Sequence, residues 1–263
     1  MVLRRPDPRD NPGTVLAAVT FGLLALLAPA KATPALDTQP VATVPAAATP
    51  AALPVQRVVT ITAQPVVLKG SVPLRGDPTV SLTFDDGPDP TWTPQVLELL
   101  RRHAAVATFC VVGDQARKHP ELLREIVAAG MRLCDHTSSH PRDLTVVPEP
   151  VQRSEVVDSR GELRALVDAP VAYFRAPGGR WSPPLLELAA GQGMQPLGWS
   201  VDLRDWERPG RLQILTTLEQ NLRPGAVILM HDGGGDRSQT VEALRLMLPW
   251  LAESGYRFTF PTP

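Results

Sequence analysis

The chain has 263 residues and a formal net charge of −1, room for one large domain with a tail rather than several domains. Its charge is uneven: residues 1–76 hold 7 Lys/Arg against 3 Asp/Glu, whereas residues 77–263 hold 19 against 24. A mildly acidic main portion argues against a polyanion such as nucleic acid as partner.

Taken in order, the chain begins with Arg4, Arg5 and Arg9, then an uncharged, largely apolar run over 14–30 that ends in Ala28-Pro29-Ala30. A basic flank, an apolar segment and a small-residue exit read as an export signal over residues 1–30, either cleaved or kept as a membrane anchor. Either way the remainder is expected beyond the cytoplasm, secreted or associated with the cell envelope. Residues 31–56 contain 8 Ala and 5 Pro and no aromatic, which suits a semi-extended spacer and cannot build a core. Residues 57–62 alternate in the manner of an edge strand, so 31–76 reads as a linker with at most that one element.

From residue 79 short apolar runs alternate with longer amphipathic ones. Strands are predicted at 80–84, 108–112, 131–134, 172–174, 195–200, 226–230 and 256–260. Helices are predicted around 93–104, 120–129, 149–167, 183–192, 210–222 and 238–253. Seven strands separated by helices imply parallel β/α units, as a barrel or a doubly wound sheet. Cys110 and Cys134 each sit in an apolar run and lack CxxC spacing, so two buried thiols are the default expectation. A disulfide between them requires that they be strand neighbours.

Chemistry gathers just past the strand ends. The first strand stops at Asp85-Asp86, the third at Asp135-His136 with His140 four residues on. The fourth runs into Arg175, the fifth into Asp202-Leu203-Arg204-Asp205-Trp206, and the sixth into His231-Asp232. In parallel β/α folds those ends converge on one rim, where active sites form. His136 and His140, at i and i+4, share one face of a turn, and with one carboxylate they make a two-His, one-Asp set with open positions. Such a set suits a divalent cation used in hydrolysis, zinc first, with Co2+, Ni2+ and Mn2+ as alternatives. Non-haem iron oxygenases use the same ligands, but on a β-sandwich rather than a β/α scaffold. Asp86 as the ligand leaves Asp85 as a general base, with Arg175 to pair with it. His231, with an acidic neighbour, is then the candidate acid.

The chain resembles the polysaccharide deacetylase family, the NodB-homology carbohydrate esterases of family 4, over residues 77–263. The resemblance is carried by Thr83-Phe84-Asp85-Asp86-Gly87-Pro88, His136-Thr137-Ser138-Ser139-His140, Arg175-Ala176-Pro177-Gly178-Gly179, Asp202-Leu203-Arg204-Asp205-Trp206 and Leu229-Met230-His231, in family order. It implies a distorted (β/α) barrel of about seven strands and removal of N-acetyl groups from an N-acetylglucosamine polymer, peptidoglycan or chitin-like. It also implies roles: Asp85 as base, Asp86, His136 and His140 as metal ligands, Arg175 positioning Asp85, and Asp205 orienting His231. Gly178 would offer a backbone N–H to the oxyanion and Trp206 a wall for the sugar. Two departures stand out. Gly178 occupies a position that often holds an aromatic, and Asp135 one that often holds Asn. An ester hydrolase acting on acetylated xylan and a catalytically silent glycan-binding module are the competing readings. For the second of these, no expected base or ligand is missing.

Overall fold

The computed structural model describes residues 61–71 and 78–263. The predicted export segment, the spacer and residues 57–60 of the predicted edge strand lie outside the described residues; Ile61 and Thr62 are in no strand. Among the described residues, no helix is long and apolar enough to cross a membrane.

The strands are β1 (Thr79–Asp85), β2 (Ala107–Val111), β3 (Arg132–Asp135), β4 (Val171–Phe174), β5 (Gln195–Pro196), β6 (Val201–Asp202), β7 (Ala226–His231) and β8 (Arg257–Phe258). The helices are α1 (Thr93–Arg102), α2 (Gly113–Lys118), α3 (Pro120–Ala128), α4 (Glu149–Arg153), α5 (Ser159–Leu166), α6 (Pro183–Gly191), α7 (Arg211–Asn221) and α8 (Ser238–Glu253). A π-helical turn, Ser154–Asp158, joins α4 to α5. Every strand pairing is parallel, in the order β5-β4-β3-β2-β1-β7-β6, and β8 pairs with the first two residues of β1.

Strand alternation sorts the core into two faces. Val80, Leu82, Phe84, Phe109, Leu133, Phe174 and Ile228 pack under the helices in one large cluster. Their strand neighbours Cys110, Cys134, Tyr173 and Val227, with Leu197, form a second, smaller cluster. Both faces are covered, which is why β1 is buried along its whole length and reads as a near-continuous apolar run.

The sheet is curled into a half-barrel. Laid flat, seven strands would put β5 and β6 about 29 Å apart at ordinary spacing. Yet β6 starts five residues after β5 ends, a span of at most about 18 Å. The two ends of the sheet must therefore approach each other. The predicted strand at 195–200 is split for this reason: Leu197 to Ser200 form the crossing from the β4 side, where Leu197 N–H donates to Phe174 O, to the β7 side, where Ser200 N–H donates to Val227 O.

Two other expectations change. Helix α2 was not predicted, because only Gly113 and Ala116 of its six residues are buried and no apolar period results. The cysteines expected as thiols are joined as a disulfide. Cys110 and Cys134 are register partners on β2 and β3, with Cα atoms 4.2 Å apart, a neighbour relation invisible at a sequence separation of 24.

Candidate active site

Register places the chemistry at one level. Asp85 closes β1 opposite His231 of β7 and Cys110 of β2, and Asp135, just before His136, lies opposite Phe174, just before Arg175. Because β-strand side chains alternate, Thr83 and Asp85 point to the inner face while Phe84 points to the helices.

Arg175 lies at the centre of this arrangement and is wholly buried. Its Nη1 donates to Asp85 Oδ1 at 2.6 Å and to Thr83 Oγ1 at 2.9 Å; Nε donates to Leu197 O at 3.1 Å and Nη2 to Gly198 O at 2.9 Å. Four acceptors satisfy a charge that would otherwise be costly to bury. This Arg holds one oxygen of Asp85 and leaves Oδ2 facing His136, 3.7 Å from Nε2.

Asp86, His136 and His140 form a compact donor cluster, with one ligand atom from each lying within 4.8 Å of the others. His140 Nε2 is 3.3 Å and His136 Nε2 3.5 Å from Asp86 Oδ1. The backbone here is held in rarely populated conformations: Asp86, Thr137 and His140 all have positive φ, at 72°, 69° and 57°. Such strain persists only where the surroundings impose it. Gly233 and Gly234 impose part of it, since a Cβ on either would overlap Asp86 itself. Glu155, presented by the π-helical turn, imposes another part. Its carboxylate accepts from Ser139 N–H at 2.9 Å and Ser139 Oγ–H at 2.6 Å, pinning the loop between the two histidines.

The cluster suits a divalent cation. His136 Nδ1 lies 2.7 Å from Arg175 O, which fixes the proton on Nδ1 and leaves Nε2 as the free donor. Burial opposes the charge of Asp86, but the His136 hydrogen bond and the three nearby imidazoles hold its carboxyl well below the usual range, so it is ionised at neutral pH. Burial also opposes protonation of His136, yet the Asp85 and Asp86 carboxylates favour its charged form, so positive charge is welcome at this point. Burial and the His136 charge push His140 down, keeping it neutral and able to ligate. Two imidazoles and one carboxylate are borderline-hard donors of the kind zinc takes.

On the adjoining strand, His231 Nδ1 lies 2.8 Å from Asp205 Oδ1, and His231 N–H donates to Asp205 Oδ2 at 2.9 Å. Thr240 Oγ1 donates to the same Oδ2 at 2.7 Å, locking the buried carboxylate from α8. Burial works against a charged His231, but the Asp205 bond and the charges of Asp205, Asp85 and Asp86 raise it to about 9. Asp205, the acid that the resemblance implies for His231, lies against it, and the adjacent Asp232 does not. Asp232 turns away to accept from Thr93 Oγ1 at 2.5 Å, and burial, with the charges of Asp86 and Asp85, lifts it to about 7.

Gly178 and Trp206 sit on the loops that carry Arg175 and Asp205 and make no hydrogen bond to the cluster among the described residues. Gly178 has φ 62° in the turn Pro177–Gly179. Trp206 is 47% exposed with the Arg204 guanidinium 5.4 Å from its ring centroid. Asp135 accepts from Thr137 N–H and Ser159 Oγ–H, while its other oxygen has no partner and burial lifts it to about 7. No role is legible in the sequence for Glu155 or Thr240, and none for Thr83 beyond its place in the first motif, because each reaches its partner across the fold.

A parallel β/α half-barrel with a His-His-Asp cluster at the strand C-termini, flanked by a fixed carboxylate and a carboxylate-bound histidine, is a recognisable class of site. The sequence profile of the family described as polysaccharide deacetylase matches residues 74–197. The chain is 40% identical over 191 residues to a chitooligosaccharide deacetylase of Sinorhizobium fredii, covering 69% of this chain and 89% of that one. It is 39% identical over 181 residues to a peptidoglycan-N-acetylglucosamine deacetylase of Bacillus cereus, covering 68% and 84%. A solved peptidoglycan N-acetylglucosamine deacetylase superposes with a TM-score of 0.68 at 33% identity, covering 74% of this chain and 91% of that one. A family 4 carbohydrate esterase from Streptomyces lividans superposes at 0.65 and 30%, covering 70% and 92%. This chain belongs to the polysaccharide deacetylase family.

Proposed function

We propose that this protein hydrolyses N-acetyl groups of an N-acetylglucosamine polymer, peptidoglycan or chitin-like, releasing acetate. The observation that carries the reading is the placement of two proton-transfer groups on paired strands beside the metal-ligand cluster. Asp85 has one oxygen held by Arg175 and one free, and His231 is held by Asp205. Asp86, His136 and His140 would hold the cation, zinc in our assignment with Co2+, Ni2+ or Mn2+ as substitutes. When bound, it supplies Lewis acidity that polarises the acetyl carbonyl and acidifies water.

The residues then divide the proton traffic. Asp85 Oδ2 takes a proton from water as its oxygen adds to the acetyl carbon. The Gly178 N–H receives the oxyanion that develops there. His231, with Nδ1 committed to Asp205, presents Nε2–H to the amide nitrogen. That proton passes to nitrogen as the C–N bond breaks, leaving acetate and a free glucosamine amine. Trp206 offers its exposed face to the neighbouring sugar.

Fold likeness alone does not secure activity. A family 4 pseudoenzyme from Bacillus anthracis superposes with a TM-score of 0.68 at 27% identity, covering 74% of this chain and 67% of that one. A silent glycan-binding module is therefore the second reading, and ester cleavage on acetylated xylan a third. The full chain is assayed for acetate release from chitooligosaccharide, peptidoglycan and acetylated xylan, with chelator and with added zinc. Zinc-restored release from an N-acetylated glycan is expected. Release from xylan alone would reassign the substrate, and no release by a zinc-loaded protein would favour the module.

The ligand set makes a separate expectation. His140 is the most exposed of the three ligands, with 37% of its side chain accessible. His140→Ala should therefore lose zinc on dialysis while its stability in chelator stays within about 0.5 kcal/mol of the parent. Unchanged zinc content by elemental analysis removes His140 from the set. Export of the protein is supported by its basic-then-apolar N-terminus and by the buried cystine, which suits an oxidising compartment.

A further inference from the structure

We propose that residues 64–71 are a strap that closes the barrel seam and positions Arg175, and through Arg175 the Asp85 carboxylate. The strap lies ahead of residue 74, where the family match begins. The proposal rests on the reading of Asp85 as the base.

The argument starts at the crossing between β5 and β6. Two of the four acceptors of Arg175 are the carbonyls of Leu197 and Gly198. Both belong to the non-strand crossing, which among the described residues has no named strand paired with it at Gly198. The strap supplies a partner. Leu68 N–H donates to Pro196 O at 2.9 Å and Gly198 N–H donates to Leu68 O at 2.8 Å, a parallel bridge between Leu68 and Leu197 at the start of the crossing. Two residues later Gly70 bridges to Ala226 of β7, so a three-residue stretch touches both sides of the seam.

The strap is itself anchored. The buried Gln195 side chain accepts from Gln64 N–H at 3.0 Å and donates to Val66 O at 2.6 Å. Ser71 N–H donates to Gly225 O at 2.8 Å, Ser71 Oγ lies 3.3 Å from Ser81 Oγ, and Thr262 N–H donates to Ser71 Oγ at 3.0 Å. Ile61 and Leu68 also pack against the inner cluster of Cys110, Cys134, Tyr173, Leu197 and Val227. A peptide unit held on one side by the strap and on the other by a buried guanidinium transmits any shift of the strap to Arg175.

The contact is tight enough to test by steric coupling. A Cβ on Gly198 would come within 2.8 Å of Val67 Cγ1 and 3.1 Å of Lys69 Cγ. Lys69 can swing aside; the branched Val67 cannot. Gly198→Ala should therefore push strap and crossing apart, and Val67→Ala in the same chain should relieve the push. Gln195→Ala loosens the strap without adding bulk at the crossing.

The experiment measures steady-state acetate release, zinc affinity, melting temperature and the 15N–1H resonance of Arg175 Nε in the full chain. For Gly198→Ala we expect kcat to fall on the order of 10- to 100-fold, since a misplaced catalytic group is this costly. KM is expected to stay within about twofold, as for a loss confined to the transition state. Zinc affinity should be retained and the Arg175 Nε signal displaced. The Gly198→Ala/Val67→Ala double variant should regain most of the lost kcat and the parent resonance. Gln195→Ala should shift kcat and the resonance in the direction of Gly198→Ala, and it serves as the reporter should that variant fail to fold. Parent-like kcat and an unmoved Arg175 resonance in Gly198→Ala would overturn the proposal, as would absence of rescue by Val67→Ala. If the parent itself releases no acetate, the functional reading fails, and the resonance in the two variants still decides the strap.

Discussion

Asp85→Asn is expected to retain zinc and to lower kcat about 1,000-fold, the mid-range worth of a positioned general base. The expectation follows from how Asp85 is held. Arg175 Nη1 engages Oδ1, so the free oxygen is the one nearer His136 and the ligand cluster. Asparagine can still accept the Arg175 bond through its carbonyl oxygen, and the amide it puts in place of Oδ2 cannot take a proton. Deleting one partner of a buried ion pair costs about 3–5 kcal/mol, and the retained acceptor offsets part of this. Melting is therefore followed beside turnover and zinc content. Near-normal turnover would end the assignment of Asp85 as base. Loss of zinc together with activity would instead place Asp85 in the ligand set.

The second large effect concerns pH. His231 is raised from its ordinary 6.5 to about 9 against the opposing effect of burial, principally by its bond to Asp205. The proton it donates is present below that value, so kcat/KM should fall as pH rises through about 9. Asp205→Asn removes the largest influence that opposes burial and leaves only the charges of Asp85 and Asp86 on that side. The alkaline limb should move to lower pH, with a loss of about 10-fold or more at pH 8 from the missing acid. Stability carries the same sign: the His231 contribution is fully present below 6.5 and is lost as pH rises through about 9. Thermal melts across that window should slope downward in the parent and flatten in Asp205→Asn. An alkaline limb that stays in place would show that Asp205 does not set the proton affinity of His231.

The parts of this protein that were legible from sequence are those whose signal is local. Val80, Leu82 and Phe84 alternate with Ser81, Thr83 and Asp85, and a strand that ends in two carboxylates before a Gly-Pro turn can be read without any neighbour. His136 and His140 are four residues apart, so their pairing as candidate ligands is visible in the sequence, although the loop that presents them is a bend with positive φ at Thr137 and His140 rather than a helical turn. The crossing at 197–200 reads as strand for an equally local reason: Leu197 and Trp199 alternate with Gly198 and Ser200 directly after β5, and only the closure of the sheet forces the chain out of strand geometry there.

The remaining features depend on distance. Glu155 reaches Ser139 from a π-helical turn, Thr240 reaches Asp205 from α8, and Leu68, from ahead of the first strand, bonds Pro196 O and Gly198 N–H beside the carbonyls that hold Arg175. Cys110 and Cys134 became a disulfide through a register that spacing alone does not reveal. By itself the sequence determined the β/α alternation and the chemistry at each strand end, because side-chain periodicity and short motifs act within a few residues. Only the tertiary structure decided what pins the loop between the two histidines, what locks Asp205 from α8, and that the two cysteines are register partners. Those are choices among groups far apart in the chain, made by strand order and register when the sheet forms.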